Sequence, residues 1–368
     1  MKSITVILLL LVFHSFLIAQ ESSIIINPRH YVCYRTPIPL VIDGLLNEPA
    51  WRNAEWTEYF NDIEGNLKSE PKYRTRAKML WDTNYLYISA FLEEPHVWAT
   101  LTERESVIFY DPDFEVFIDP DGDTHHYLEF EMNAFNTQWD LLLLRPYRDE
   151  LNSNVAIDHW SINGLKTAVY VHGTINDPSN TDSGWTVEIA IPMDALHELG
   201  AAGKYPREGD HFRINFSRVN WHTDIIEGKY VKKTRMVNGI SKPLPEENWV
   251  WSPQGVIAMH QPETWGYLQF SSKVAGSGRD EFIQDPDRDV KWALRKLYYL
   301  QRAFCERKGT FAKDISELGL PGNWPDRQQS VPALYVNGDK YQASLGSVDK
   351  LHEWHISEDG RIWKTRLK

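Results

Sequence analysis

The chain contains two cysteines only, Cys33 and Cys305. They stand far apart and fall in different parts of the sequence. The reading is two free thiols, with no disulfide framework. A basic surplus is missing too: 39 Lys and Arg face 51 Asp and Glu, a net charge of −12. This excludes nucleic acid as a partner, because phosphates need a basic patch. The balance suits a neutral ligand such as a sugar, or a bound cation. No Gly-rich phosphate loop, no Gly-x-Ser-x-Gly elbow and no His/Cys cluster of zinc type occurs, so the corresponding chemistries have no motif to stand on. After the first 19 residues no run is long and apolar enough to span a bilayer. No internal repeat is present.

Residues 1–19 themselves read as a secretory signal peptide. Lys2 supplies the positive start, Ile4 to Ile18 is almost wholly apolar, and Ala19 offers a small residue for cleavage. The expected location is therefore secreted: periplasmic, cell-surface or extracellular. The chain is also rich in aromatics, with 15 Trp, 17 Tyr and 15 Phe. Such residues fill β cores and also make platforms on which sugar rings stack.

The most informative stretch is a pair of acidic strands. Asp113-Phe-Glu-Val-Phe-Ile-Asp119 is followed, after Pro120-Asp-Gly-Asp123, by Tyr127-Leu-Glu-Phe-Glu-Met-Asn133. Side chains alternate faces along a strand. Phe114, Val116 and Ile118 point one way and Glu115 and Asp119 the other. Leu128, Phe130 and Met132 form an apolar stripe backed by Tyr127, Glu129, Glu131 and Asn133. The short turn makes the two strands neighbours. One sheet then has an apolar face for a core and an acid-amide face able to meet a polar ligand.

More strands flank this pair. Residues 76–82 and 85–92 read as a hairpin, 167–173 and 185–191 as a second pair, and 211–219 and 265–270 as further strands. Met193 to Leu199 reads as one or two helical turns. Many short strands between Gly, Pro, Asn and Asp turns make a β-sandwich or jelly-roll over residues 35–272. The Ser/Gly-rich stretch Lys273 to Gly278 is the candidate boundary. Beyond it, residues 279–368 read as a small α+β unit. An amphipathic helix runs from Asp289 to Lys308 and is stopped by Gly309. Short strands follow near 333–336, 340–345, 353–356 and 362–366.

Several segments together resemble the family 9 carbohydrate-binding module. They are Ile42-Asp-Gly-Leu-Leu-Asn-Glu-Pro-Ala-Trp51, Leu80-Trp-Asp-Thr-Asn-Tyr-Leu-Tyr87, Asp113 to Asp119, Trp185-Thr-Val-Glu-Ile-Ala-Ile-Pro192 and Pro262-Glu-Thr-Trp-Gly-Tyr-Leu268. Their order and spacing carry the resemblance, over about residues 35–270. It implies a β-sandwich with structural calcium that grips a sugar between two aromatic side chains, with carboxylate and amide hydrogen bonds around it. It also implies a role beside glycoside hydrolases in polysaccharide catabolism. By position Glu115 matches the family's sugar-binding carboxylate and Asn133 a binding amide. Phe109 and Tyr110 stand where one clamp aromatic falls, and Met259 or His260 where the other does. Glu131 lies near the place of a family arginine, and Ser217 takes the place of a glutamine. The C-terminal unit weakly resembles the globular part of type IV pilin-like proteins, through Tyr298 to Phe311 and Asp359-Gly-Arg-Ile-Trp363.

Candidate carbohydrate contacts are therefore Phe109, Tyr110, Glu115, Glu131, Asn133, Trp139, Ser217 and Trp221. Trp160, Trp249 and Trp251 are further possible platforms. Asp119, Asp121 and Asp123, at alternate positions around Gly122, are candidate calcium ligands. The expected function is recognition of plant-type polysaccharide or oligosaccharide, of the xylan or glucan class, without catalysis. Two alternatives compete. One is a glycoside hydrolase using two of these carboxylates. The other is a surface or assembly protein that docks a protein partner through residues 279–368.

Overall fold

The computed structural model describes residues 27–147, 155–200, 205–319 and 331–367. The expected leader at 1–19 lies outside them. The chain divides into two units between Ile283 and Gln284. Among the described residues no helix is long and apolar enough to cross a membrane.

Among the described residues the first unit has 17 strands, numbered along the chain. They are β1 (His30–Arg35), β2 (Asn61–Asp62), β3 (Thr75–Trp81), β4 (Tyr85–Leu92), β5 (Asp113–Asp119), β6 (Tyr127–Asn133), β7 (Gln138–Leu143) and β8 (Ala156–Ile157). Then come β9 (Lys166–His172), β10 (Gly184–Pro192), β11 (His211–Asn220), β12 (Thr223–Ile226), β13 (Lys229–Lys232), β14 (Thr234–Val237), β15 (Ile240–Pro243), β16 (Glu247–Val250) and β17 (Gly266–Val274). The strands connect in the order β8-β7-β6-β5-β11-β17-β1-β3-β4-β10-β9, with β16 branching from β11 and carrying β2. All three expected pairs form: β3 with β4, β5 with β6, and β9 with β10. Among the described strands only β1 runs parallel to its neighbours, β17 and β3.

Alternation sends one face of each strand into a shared core. Phe114, Val116, Ile118, Leu128, Phe130, Met132, Ile214 and Phe216 come from one half of the path. They meet Met79, Trp81, Ile88, Ala90, Val187 and Ile189 from the other. The path therefore folds over into a β-sandwich. Trp249 and Trp251 are buried in this core, and Trp160 packs against it, so none of the three is a platform. Two hairpins, β12-β13 and β14-β15, stand off the sandwich as separate two-stranded sheets.

Two family-like segments turn out to be one structural joint. Glu188 on β10 accepts the backbone N–H groups of Asp43 and Gly44 at 2.9 and 2.8 Å and the Trp51 Nε1–H at 2.6 Å. Trp51 sits on the short helix α1 (Pro49–Asn53). Gly44 has φ +84°, and a Cβ there would lie 2.7 Å from the Tyr170 backbone nitrogen. Only glycine fits so close an approach. A second helix, α2 (Met193–Glu198), follows β10 as expected.

The boundary falls later than the Ser/Gly-rich stretch. Phe282 stacks on His30 and His211, with ring centroids 4.2 and 5.2 Å away. The Ile283 N–H donates to Gln269 Oε1 at 2.6 Å. Residues 279–283 thus belong to the sandwich unit.

The second unit is helix α3 (Arg288–Lys308) on the antiparallel sheet β18 (Ala333–Asn337), β19 (Lys340–Gly346), β20 (His352–Ser357) and β21 (Ile362–Arg366). Val290, Leu294, Leu297 and Tyr298 bury against Tyr341, Ala343, Leu345, Ile356 and Ile362. Gly309 caps the helix with φ +73°. Cys305 lies on α3 and Cys33 in the sandwich core, and both are free thiols.

Asp287 fastens this unit. It accepts from Ser347 Oγ, the Val348 N–H, Trp354 Nε1 and Lys364 Nζ, all at 2.8–3.0 Å. Burial pushes its carboxyl up, but these donors outweigh burial and hold it near 2. A depressed carboxyl gives stability that is whole above its ordinary value near 4 and fades as pH falls towards 2. Asp287→Asn should destabilise the second unit by about 2 kcal/mol at pH 7. The variant should also lose the acid-dependent step between about pH 4 and 2. Urea unfolding followed through Trp354 and Trp363 fluorescence tests this. An unchanged midpoint and acid profile would refute it.

A buried acidic pocket on the β5-β6 face

The face of β5 and β6 turned away from the core is not the solvent-open surface that its polarity suggests. Every residue of both strands is buried. Asp113, Glu115, Glu129 and Glu131 are all less than a tenth exposed. Strand register sets them in rows. Ser217 on β11 pairs with Glu115, Glu115 with Glu131, and Glu131 with Trp139 on β7. The next row runs Asn215, Phe117, Glu129, Leu141.

Two irregular segments roof this face. At one side the turn around Ile108–Tyr110 comes down on β6, and the Phe109 N–H donates to Glu131 Oε2 at 3.0 Å. The Trp221 indole N–H donates to the Phe109 carbonyl at 3.0 Å. The Lys232 ammonium lies 3.3 Å from the Trp221 ring centroid and donates to the Tyr110 carbonyl. At the other side the segment before β17 brings His260 and Trp265 over Phe117 and Tyr127. His260 Nδ1 lies 2.8 Å from the Tyr127 hydroxyl and its Nε2 lies 3.8 Å from Glu129 Oε1. Tyr147 meets His260 edge-on at 4.5 Å. Tyr110 is 55% exposed and Tyr147 43%, so both aromatic walls reach solvent.

The electrostatics follow from the burial. Burial lifts the Glu115 carboxyl to about 7, with the nearby Ser217 hydroxyl holding it down and Glu246 pushing it further up. Asp113, Glu129 and Glu131 are pushed well above the ordinary carboxylate range, by burial first and by their acidic neighbours second. One carboxylate oxygen from each of Asp113, Glu115 and Glu131 lies within 4.8 Å of the other two. Asp113 Oδ1 accepts the Val219 N–H at 3.2 Å, while Oδ2 has no hydrogen-bond partner among the described residues. Burial also lowers Lys232 to about 8, with Asp111, Glu246 and Asp113 pulling it back up.

The expected site residues therefore part company. Glu115, Glu131, Ser217 and Trp139 share one row of the pocket floor. Phe109, Tyr110 and Trp221 build one wall. Asn133 has a different task. Its amide N–H groups go to the Leu101 carbonyl and Asp111 Oδ2, and its oxygen accepts from Phe135 and Thr137. It is wholly buried, and it braces the turn after β6 instead of facing a ligand. Asp113 joins Glu115 and Glu131 on the same face, a position not singled out from the sequence although strand alternation could have found it. Tyr147 sits in an irregular segment, and no sequence signal marked it.

Asp119, Asp121 and Asp123 also bring one carboxylate oxygen each within 4.8 Å of the others. Here the oxygens serve their own loop. Asp119 accepts from Gly122 and Thr124, Asp121 from Asp123, and Asp123 from His125.

The first unit is thus a β-sandwich with a covered acidic face on β5 and β6. Residues 42–216 match the family model described as carbohydrate family 9 binding domain-like. Among solved structures, a candidate carbohydrate-binding protein from Bacteroides uniformis ATCC 8492 is 14% identical. It covers 67% of this chain and 100% of its own, with a TM-score of 0.47. A family 9 carbohydrate-binding module from Caldicellulosiruptor kristjanssonii in complex with cellotriose is 14% identical, covering 70% and 100%, with a TM-score of 0.40. Its complex with glucose gives 15%, 69%, 100% and 0.40. No curated protein matches the sequence.

The crowding of acids has a measurable consequence. A carboxyl raised in the folded state costs stability once pH passes its ordinary value, and the cost grows until its folded value is reached. For Glu115 that window runs from about 4.5 to about 7. Glu115→Gln should therefore stabilise the first unit by about 1–3 kcal/mol at pH 8 in metal-free buffer, and by nothing at pH 4. Thermal unfolding at the two pH values checks this. A loss of stability at pH 8 would show that the cluster is paired in a way the geometry does not contain.

Proposed function

We propose that the first unit binds carbohydrate in the acidic pocket and does not cleave it. One observation carries the reading: the row Ser217, Glu115, Glu131, Trp139 sets a hydroxyl, two carboxyls and an indole side by side beneath aromatic walls. Sugar hydroxyls donate to carboxylates directionally, and ring C–H faces stack on aromatics. The family 9 binding-domain match over 42–216 supports the same ligand class. Within that class the proposal is a neutral oligosaccharide or polysaccharide of the xylan or glucan type. Export of the chain, a structural calcium at Asp119, Asp121 and Asp123, and a protein partner for the unit beyond Gln284 belong to the same proposal.

The raised carboxyls also suit a general acid, which gives the hydrolase reading its one favourable observation. Geometry weighs against it. Hydrolytic carboxylates flank the scissile bond from opposite sides. Here three carboxylates converge on one point from adjacent strands.

Calorimetry with xylo- and cello-oligosaccharides tests the proposal. Saturable binding without release of reducing sugar is expected. Trp139→Ala should weaken that binding at least about tenfold, or about 1.4 kcal/mol, by removing a stacking face. An unchanged melting temperature would show that the loss is local. Turnover, or binding indifferent to both Trp139→Ala and Glu115→Ala, would overturn the assignment.

A further inference from the structure

The outer face of β3, β4, β10 and β9 carries the opposite charge to the acidic pocket. Arg76, Phe91, Thr186 and Tyr170 stand in one row of directly paired residues across these four strands. Their chain neighbours Ala77, Ala90 and Val187 fill the core, so by alternation the row points outward. The segment around Trp51 covers another part of this face, over Leu80, Tyr87 and Ala190. The row itself stays accessible. Tyr170 is 43% exposed, and Arg76 and Phe91 are half-buried. His172 closes the far end, with its Nε2 2.6 Å from Thr186 Oγ1 and its ring 5.7 Å from Phe91 and 4.8 Å from Tyr170. Burial lowers the His172 pKa, so it contributes a neutral ring there.

At the near end, the chain around Thr57 to Phe60 runs beside β3, with the Thr57 N–H on the Ala77 carbonyl and the Phe60 N–H on the Thr75 carbonyl. This sets two rings against a line of cations. The Arg76 guanidinium lies 4.3 Å from the Trp56 ring centroid and 5.5 Å from that of Tyr59. The Arg74 guanidinium lies 5.3 Å from Tyr59, and the Lys78 ammonium 4.6 Å from Trp56. Stacking occupies the flat face of a guanidinium and leaves its N–H edge for an oxygen acceptor. Among the described residues the Arg74 and Arg76 side chains form no ion pair and no hydrogen bond. Nearby acids turn to other donors. Glu58 accepts from the Trp251 indole at 3.1 Å and Glu93 from the Arg74 backbone N–H at 3.2 Å. Glu188, in the row of Lys78, is held by Asp43, Gly44 and Trp51. Lys78 itself is 6% exposed and donates to the Trp51 carbonyl. Burial and then the positive charge of Arg76 lower it to about 8. A chain of net charge −12 thus keeps a positive, ring-braced patch without counter-charge.

We infer that this row is a second carbohydrate-binding face, separate from the acidic pocket, and that it takes a glycan built of uronic acids. Each uronate residue brings what one stretch of the row lacks. Its carboxylate fits the open N–H edge of a stacked guanidinium, two oxygens against two donors. Its ring C–H face fits Phe91 or Tyr170. Three strand spacings make the row about 14 Å long, a span for a chain rather than a single sugar. A polymer with denser charge, such as polyphosphate or nucleic acid, finds only two accessible cations here and meets repulsion from the rest of an acidic protein.

The test is calorimetry on the full chain with tetragalacturonate at low salt, with polyphosphate of equal charge as the comparison. Saturable binding of tetragalacturonate is expected, at least about tenfold tighter than polyphosphate. Arg76→Gln should weaken it at least about tenfold, and Arg76→Lys, which keeps the charge without the fork, should restore part of the loss. Tyr170→Ala, at the open end of the row, should weaken it about fivefold without lowering the melting temperature. Glu115→Ala, in the acidic pocket, should leave tetragalacturonate affinity unchanged. Absence of saturable binding, equal affinity for polyphosphate, or an affinity indifferent to both Arg76→Gln and Tyr170→Ala would overturn the second face. Loss of tetragalacturonate binding in Glu115→Ala would overturn it as well, by placing that ligand in the pocket.

Discussion

Like charges placed directly opposite each other on a sheet repel, and the first unit places Glu115 opposite Glu131 inside the protein. The apolar side of the same two strands enforces that arrangement. Phe114, Val116 and Ile118 on β5, and Leu128, Phe130 and Met132 on β6, fill the sandwich core. A slip of one residue would turn the carboxylates into that core. Register is therefore fixed by hydrophobic burial on one face, and the acid cluster on the other face follows from it. The β6-β7 turn strengthens the lock. Asn133 ties it to Asp111, which also accepts from Thr100 and the Leu101 N–H.

Three other buried carboxylates of this chain have several donors each. Glu188 has two backbone N–H groups and an indole. Asp82 has the Asn84 and Tyr85 N–H groups and the Tyr87 hydroxyl. Asp287 has four partner groups. Each of these carboxylates holds a turn or a joint. In the pocket, Glu131 receives one backbone N–H, Asp113 receives one, and an oxygen of Asp113 is left over. The contrast separates structural acids from acids held ready for something else. Sites that keep unsatisfied groups do so at a cost in stability, which function offsets.

Much of this was readable in the sequence, for local reasons. Period-two alternation gave the strands of the sandwich and of the second sheet. The three/four spacing and Gly309 gave helix α3. Alternation also put Glu115 and Glu131 on one face. It put Asn133 there as well, and could not show that the turn would consume its amide. Burial of the acidic face depends on segments distant in sequence, around Phe109, Tyr147 and His260, and no local pattern reports such roofing. The parallel placement of β1 is equally non-local. The boundary was misplaced because Phe282 and Ile283 follow the flexible-looking stretch and yet return to the sandwich. The family-like segments fared well because they are mostly scaffold. Ile42 to Trp51 and Trp185 to Pro192 meet at Glu188, and Leu80 to Tyr87 centres on the Asp82 turn. Scaffold motifs identify a fold more readily than they identify what its pocket holds.

The pocket itself restricts what can enter. Its floor offers carboxyl groups and the Ser217 hydroxyl, while Arg213 on the same face of β11 is engaged by the Glu263 carbonyl and the Tyr267 ring. Burial and mutual repulsion make Asp113, Glu115, Glu129 and Glu131 hold their protons more readily than ordinary carboxyls. A group bringing hydroxyl donors or positive charge would find acceptors already in place, in surroundings of low dielectric where each contact counts for more. The aromatic walls add a flat apolar face at each side, which suits the C–H face of a neutral sugar ring better than a fully hydrated ion alone.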